Sequence, residues 1–246
     1  MTKLADIDVV ILAGGLGTRL AGVVSDRPKV LALVNDRPFL EFQLNWLAGF
    51  CVRRVILSIG HKAEQIEAFA ANCRIDGLLI DMVREGEPLG TAGAIRNVRP
   101  SLQSETVMIM NGDSFVDAPL AEFLAGYEGS GAEASLLCTH VTDSGRYGSV
   151  NVDDNGAITA FREKNDASEP GYINAGIYLF GQVMLDRIVA VDGPSLERDV
   201  FQIAPAGTLH GFTGTYTFLD IGTPEDYARA PSVLAPYMTE RKNVTA

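Results

Sequence analysis

The sequence predicts an α/β protein with a Rossmann-like mixed sheet, mostly parallel, with helices on both faces and an antiparallel excursion in the second half. In the first half, short β-branched or apolar runs alternate with segments of helical periodicity, as in a parallel sheet with helical crossovers. After about residue 145 this alternation stops, and Asp-Asp-Asn-Gly at 153–156 indicates a β-hairpin. Hydrophobic residues make up 47% of the chain and charged residues 21%, the balance of an ordinary globular protein.

The elements of the first half follow from the spacing of apolar residues. An apolar run at 9–13 predicts a strand over 8–12. Between 39 and 50, Phe and Leu recur every three or four positions, which predicts a helix. The helix predicted at 119–127 begins with a proline, whose missing N–H costs little in a first turn. The other predicted strands lie at 54–59, 78–83 and 106–110, and the other predicted helices at 62–72 and 91–98.

The second half is predicted to contain more strand than helix. A strand over 133–141 is followed by the hairpin strands 149–152 and 157–162 on either side of the Asp-Asp-Asn-Gly turn. Further strands are predicted at 171–180 and 209–219. Short helices are predicted at 182–189, 195–203 and 224–234.

The net charge argues against two classes of partner, and the absence of a linker indicates a single domain. The 246 residues include 20 Lys or Arg and 31 Asp or Glu, so the net charge is −11. Nucleic acids and anionic membrane surfaces bind basic faces, so neither is a predicted partner. Because no Pro- or Ser-rich linker divides the chain, residues 1–246 are predicted to form one domain.

Cysteine and histidine content does not favour a disulfide framework or a zinc site. Cys51, Cys73 and Cys138 show no Cys-x-x-Cys spacing, and the three histidines form no paired motif. The apolar run at 9–13 is too short for a signal peptide or a membrane span. We therefore expect a cytoplasmic protein, and a homo-oligomer is compatible with the sequence.

A glycine-rich loop follows the first predicted strand. Residues 12–20 read Leu-Ala-Gly-Gly-Leu-Gly-Thr-Arg-Leu, and such a loop can surround an anion with backbone N–H groups. The dinucleotide pattern requires glycine where Leu20 stands, and the Gly-Lys-Ser/Thr of a Walker loop is absent. Arg19 adds a planar cation suited to phosphate. A phosphate site is thus predicted, with a plain turn as the alternative.

Two further segments qualify as parts of a nucleotide site. Lys29 follows Pro28, which stiffens the chain, and paired with the loop it is a candidate second phosphate contact. Glu85 is the second residue of the turn 84–93, where a carboxylate can accept from the two adjacent donors of guanine. The alternative for Glu85 is a structural acid near a helix N-terminus, and the sequence leaves both open.

Two aspartates end predicted strands at distant places in the chain. Asp113 closes Met-Asn-Gly-Asp at 110–113, and Asp220 follows Phe-Leu at 218–219. Ligands of open α/β sheets bind beyond the carboxyl ends of the strands. Two carboxylates there can share one Mg²⁺, although each alone is a common turn residue.

Seven short blocks of the sequence form a recognisable series, namely residues 12–20 with Pro28-Lys29, 87–93, 111–113, 147–148, 163–164, 174–176 and 219–226. The same blocks occur in the same order in sugar-1-phosphate nucleotidyltransferases, and the chain resembles that family. The resemblance implies transfer of a nucleoside monophosphate from an NTP to a sugar 1-phosphate, with release of pyrophosphate.

The resemblance also implies residue roles. It implies catalytic roles for Arg19, Lys29 and Asp113, and Mg²⁺ as the cofactor, held by Asp113 and Asp220. The residues implied to bind nucleotide are Leu12, Ala13, Gly14, Gly15, Gly17, Thr18, Glu85, Gly90, Thr91 and Gly112. Those implied to bind the sugar phosphate are Tyr147, Gly148, Glu163, Lys164 and Asn174.

Within the family, the chain most resembles the short guanylyltransferases that act on D-glycero-D-manno-heptose 1-phosphate. GTP and this heptose phosphate are then the expected substrates, with a nucleotide-binding part at about 1–140, a sugar-phosphate part at about 141–222, and no C-terminal β-helix. Mannose-1-phosphate guanylyltransferase and glucose-1-phosphate thymidylyl- or uridylyltransferase are alternatives. A catalytically silent sugar-nucleotide-binding regulator is a further alternative. A glycosyltransferase is disfavoured, because residues 113–115 lack the Asp-x-Asp pair.

Overall fold

The computed structural model describes residues 2–20, 22–162 and 169–238. The strands within these residues are β1 (Asp8–Ala13), β2 (Leu33–Val34), β3 (Arg37–Pro38), β4 (Arg54–Ile59), β5 (Leu79–Arg84), β6 (Val107–Asn111), β7 (Ser114–Asp117), β8 (Ala134–Val141), β9 (Ser149–Val152), β10 (Ile158–Arg162), β11 (Gly171–Phe180), β12 (Leu209–Gly214) and β13 (Thr217–Asp220). The helices are α1 (Phe39–Gly49), α2 (Ala63–Asn72), α3 (Gly90–Val98), α4 (Leu120–Ser130), α5 (Gln182–Ala190) and α6 (Pro224–Leu234).

Seven strands form the main sheet, in the order β12-β8-β11-β6-β1-β4-β5. β1 pairs in parallel with both β4 and β6, and β4 pairs in parallel with β5. β11 is antiparallel to β6 on one side and to β8 on the other. The predicted fold class, a mostly parallel mixed sheet with an antiparallel strand in the second half, is confirmed.

Helices cover both faces of the sheet. Successive side chains of a strand point to opposite faces, so β1 contributes to two separate cores. Val9 and Ile11 pack in the core that also contains residues of α1, α2 and α4. Val10 packs in the other core, with residues of α3 and α5. Burial on both sides explains why β1 is apolar without alternation.

The predicted strand 209–219 was wrong as a single element. It forms two strands, β12 in the main sheet beside β8 and β13 in a two-stranded sheet with β7. The chain leaves the main sheet after Gly214, where the Tyr216 N–H donates to Thr139 Oγ1 at 3.1 Å. The residues of β12 and of β13 are both typical of strands, so the sequence pattern alone does not reveal that the strand is interrupted between them. β7 itself was not predicted.

The short helix predicted at 195–203 is present but shorter: it spans Glu197–Phe201 and is a π-helix. The predicted hairpin is confirmed as β9 and β10. Its turn is held by Asp153, whose Oδ1 accepts from the N–H groups of Asn155 and Ala157. Across the described ranges, none of the helices is both long and apolar enough to span a membrane.

Candidate active site

A cavity of about 460 Å³ opens at the carboxyl ends of β1, β5 and β6. It is lined by the glycine-rich loop, by the loop after β5 with the start of α3, and by the turn after β6. All the predicted nucleotide-binding residues lie in its wall, namely Leu12, Ala13, Gly14, Gly15, Gly17, Thr18, Glu85, Gly90, Thr91 and Gly112, together with Arg19, Lys29 and Asp113.

Two glycines in this wall are required by close packing. The Gly112 N–H donates to Leu12 O at 3.0 Å, and a Cβ on Gly112 would lie 2.5 Å from that same oxygen. A Cβ on Gly14 would lie 2.5 Å from Glu85 Oε1. Glycine therefore allows the ends of β1 and β6, and the Glu85 carboxylate, to approach as closely as they do.

Lys29 lies between the two predicted metal ligands. Its Nζ is 2.7 Å from Asp113 Oδ2 and 3.8 Å from Asp220 Oδ1, and its side chain is only 9% exposed. Pro28 precedes a short helical turn that begins at Lys29, so the backbone direction at this lysine is fixed. The two aspartates, predicted from positions more than a hundred residues apart in the chain, thus face one ammonium group.

The backbone explains why the two carboxylates meet. Asp113 lies in the two-residue turn between β6 and β7, and Asp220 ends β13, which pairs with β7. The Ile221 N–H donates to Asp113 O at 2.9 Å. Burial, followed by the nearby charge of Asp113, raises the pKa of Asp220, while Lys29 opposes this shift.

The two carboxylates match what Mg²⁺ requires of a protein site. This ion prefers oxygen ligands and is usually held by one or two carboxylates together with phosphate oxygens and water. Asp113 lines the cavity together with the glycine-rich loop, and Asp220, which is not in the cavity wall, supplies a second carboxylate on the other side of Lys29. In the part of the chain that the structure describes, no group of three or more His, Cys, Asp or Glu side chains is suited to a metal. The residues present therefore fit a magnesium ion that is held partly by substrate.

Glu85 is hydrogen-bonded to neighbouring residues and also lines the cavity. Its carboxylate is buried, Ser58 Oγ donates to Oε1 at 3.1 Å, and the Leu89 N–H donates to Oε2 at 3.3 Å. A carboxylate has about four acceptor positions, so two further bonds can be formed towards the cavity. Ser58 is a residue that sequence reasoning missed. The only signal was a hydroxyl residue inside the apolar strand β4.

The start of α3 is bound by a segment from the second half of the chain. Gly90 has φ +70°, and a Cβ there would lie 2.5 Å from Pro194 O. That oxygen accepts from the Ala92 N–H at 2.9 Å, and Thr91 Oγ1 accepts from the Leu196 N–H at 2.9 Å. The segment 194–196 thereby supports the helix end that borders the cavity, and no sequence signal identified this contact.

Three of the predicted sugar-phosphate residues, Tyr147, Gly148 and Asn174, do not line this cavity. Tyr147 is half-buried edge-on against Phe218, and burial raises the pKa of its hydroxyl group. The Gly148 N–H donates to Ser144 O. Asn174 Nδ2 donates to Tyr178 Oη at 2.9 Å and to Glu197 Oε1 at 3.0 Å. The predicted residues Glu163 and Lys164 lie outside the described residues.

Comparison with known families decides what kind of protein this geometry belongs to. The model of the family described as Nucleotidyl transferase matches residues 8–235 of the chain. The chain belongs to this nucleotidyl transferase family. The family that the seven sequence blocks indicated is thus confirmed.

Two curated relatives and one solved structure are similar to this nucleotidyl transferase. It is 35% identical over 233 residues to D-glycero-alpha-D-manno-heptose 1-phosphate guanylyltransferase of Aneurinibacillus thermoaerophilus, covering 94% of this chain and 100% of the relative. It is 35% identical over 231 residues to mannose-1-phosphate guanylyltransferase of Mycobacterium tuberculosis, covering 93% of this chain and 64% of that relative. The crystal structure of HddC from Yersinia pseudotuberculosis complexed with GMP-PN superposes with a TM-score of 0.80 at 32% identity, covering 92% of this chain and 98% of HddC.

Proposed function

We propose that this nucleotidyl transferase moves GMP from GTP to D-glycero-D-manno-heptose 1-phosphate and releases pyrophosphate. The observation that carries the proposal is the placement of Lys29 between Asp113 and Asp220 at the wall of a glycine-lined cavity. The choice of sugar rests on the Aneurinibacillus relative, because the chain matches its full length. GTP is a cytoplasmic metabolite, so the proposed location is the cytoplasm.

The proposed roles in the nucleotide-binding part, about 1–140, follow from charge. Backbone N–H groups of the glycine-rich loop and the exposed Arg19 would bind the triphosphate and the departing pyrophosphate. Lys29 would reduce negative charge at the α-phosphate. Asp113 and Asp220 would hold Mg²⁺. When bound, this ion neutralises phosphate charge and orients the phosphate oxygens.

The reaction needs no general base. A phosphate oxygen of the sugar 1-phosphate is already anionic at neutral pH, and it forms a bond to the α-phosphorus of GTP. The bond from that phosphorus to the oxygen bridging to the β-phosphate breaks, and the electron pair leaves with pyrophosphate. Repulsion between two polyanions is the main obstacle, so positioning and fixed cations supply the catalysis.

The sugar-phosphate part is proposed to be about residues 141–222. Tyr147, Gly148 and Asn174, with Glu163 and Lys164, would bind the acceptor there. The segment 194–197 belongs to this part, and it contacts α3 of the nucleotide-binding part through Leu196 and Asn174 through Glu197. We expect it to maintain the spacing of the two proposed parts.

A mannose-1-phosphate guanylyltransferase is the second candidate. Its support is the equal identity, 35%, to the Mycobacterium tuberculosis relative, although the chain spans only 64% of that protein. A pyrophosphate-release assay across four NTPs and the heptose, mannose and glucose 1-phosphates separates the candidates. Highest kcat/KM with GTP and the heptose phosphate is expected. No pyrophosphate with any pair of substrates would reject the proposed function.

The selection of guanine is tested at Glu85. We expect Glu85→Gln to raise the KM for GTP by about 10- to 100-fold while changing the KM for UTP much less, because only guanine offers two adjacent donors to a carboxylate. Glu87→Gln, in the same loop but exposed, is the matched control and should change neither value. An equal effect of Glu85→Gln on both nucleotides would mean that Glu85 serves only the turn.

A further inference from the structure

We infer that Gln43 is a positioning residue for the turn that carries Asp113. Gln43 lies in α1, which packs against one face of the main sheet, and is completely buried. Its Nε2 donates to Asn111 O at 2.9 Å and to Ser114 O at 2.7 Å. These two carbonyl groups flank the Gly112-Asp113 turn on either side, so one amide group joins its two ends. The inference rests on the proposed function, in which Asp113 is a metal ligand.

The chemistry of these bonds indicates that the amide is present for the turn. Both partners are acceptors, so only the NH₂ end of Gln43 can face them. Its Oε1 is buried and has no hydrogen-bond partner among the described residues. A buried amide oxygen without a donor destabilises the folded chain, and an apolar side chain would avoid that cost. The amide is therefore explained by the two bonds that it makes to the turn.

Other contacts hold the same turn from different directions. The Gly112 N–H donates to Leu12 O of β1, and Asp113 O accepts from the Ile221 N–H beyond β13. Gln43 supplies the contact from α1. With the backbone fixed by three separate elements, the Asp113 carboxylate has little freedom apart from its side-chain rotation. Mg²⁺ demands nearly ideal octahedral geometry, so a fixed carboxylate favours its binding.

The test compares GTP binding with and without the metal. Gln43→Met has a similar length and volume but no donor, so the turn loses its contact from α1. In calorimetric titrations with Mg²⁺, we expect the Kd for GTP to rise about tenfold, the scale of losses when a partner that orients a metal ligand is removed. In EDTA, the Kd for GTP should be unchanged. The kcat should fall about 10- to 100-fold, with the KM for the sugar phosphate unchanged.

Leu44→Ala is the matched control. Leu44 is the next residue of α1 and is buried as completely, but its side chain cannot hydrogen-bond to the turn. This variant should lose stability while keeping the wild-type ratio of the two Kd values. Fluorescence of Trp46, the single tryptophan, verifies that each variant is folded. If Gln43→Met does not fold, Gln43→Asn keeps an amide with a shorter reach and should show a smaller change of the same kind.

The inference is overturned if the folded Gln43 variant keeps the wild-type ratio of Kd values, or if Leu44→Ala changes that ratio equally. Failure of the proposed function gives a different result. In that case wild-type protein releases no pyrophosphate with any substrate pair, yet the ratio of Kd values with and without Mg²⁺ still tests Gln43.

Discussion

Replacing Gly112 by alanine should disturb the site more than it disturbs the fold. The added Cβ would lie 2.5 Å from Leu12 O and 2.8 Å from Val30 Cγ1. Restoring ordinary contact moves the oxygen from 2.5 to at least 3.4 Å, a shift of about 0.9 Å. The Leu12 oxygen belongs to the backbone, so no side-chain rotation can move it. Val30 is buried, so its side chain has little room to rotate away.

The magnitudes decide the expected outcome. Forcing an extra methyl group into packed structure costs about 1–3 kcal/mol, and the gain of about 0.4–1 kcal/mol from a stiffer unfolded chain does not offset it. A shift of about 1 Å at a catalytic group costs on the order of 10²-fold in rate. Gly112→Ala should therefore lose about 1–2 kcal/mol of unfolding free energy and about 10²-fold in kcat.

The assays are urea unfolding followed by Trp46 fluorescence, and pyrophosphate release at saturating substrates. Gly129→Ala is the control, because Gly129 lies in α4 and its added Cβ would meet nothing within 4 Å beyond its chain neighbours and its own helix backbone. This control should keep full activity and gain at most about 0.5–1 kcal/mol, because Gly129 is the last residue but one of the helix. Wild-type kcat in a fully folded Gly112→Ala variant would refute the close packing of β1 against the Asp113 turn.

Two further predictions concern carboxylates. Asp113→Asn should reduce kcat by about 10²-fold or more at saturating Mg²⁺. The unfolding free energy should change by less than about 1 kcal/mol, because Asp113 is 38% exposed and the more buried Lys29 keeps Asp220 as a partner at 3.8 Å. Near-normal turnover would remove the metal assignment. Burial tends to raise the pKa of Asp8, but bonds from Gln103, Arg54 and Ser104 outweigh it, so the pKa lies below its ordinary value of 3.8. The stability that Asp8 contributes is present above that value and is lost as pH falls through the lower, folded pKa. Urea unfolding between pH 7 and pH 3 should show a smaller loss of stability for Asp8→Asn than for wild type, and identical curves would contradict this.

Local periodicity was sufficient for most elements but not for all. The strand at 54–59 and the helix at 224–234 were predicted with the observed bounds, because each has a clear apolar pattern between turn residues. β7 was missed because it is only four residues long and follows β6 after a two-residue turn. The single strand predicted over 209–219 was wrong, because β12 pairs with β8 whereas β13 pairs with β7, and the residue types do not reveal where the pairing changes.

The candidate site was predicted unevenly for a similar reason. The glycine-rich loop and Asp113 could be found because their backbone chemistry lies within a few consecutive residues. Ser58 and Gln43 could not, since each acts through a partner that is distant in sequence, Glu85 for the serine and the Asp113 turn for the glutamine. Their residue types are common in strands and helices with no such role.

The sequence by itself determined most of the strands and helices and their order, the glycine-rich loop, the acidic strand ends and the family. Each of these depends on residues that are close together in the sequence, because the spacing of apolar residues and the backbone flexibility of glycine are local properties of the chain. Only the tertiary structure decided that Lys29 lies between Asp113 and Asp220, and that the segment 194–196 holds the start of α3. Those contacts depend on which strands pair across the sheet, and that pairing is fixed by the packing of the whole chain.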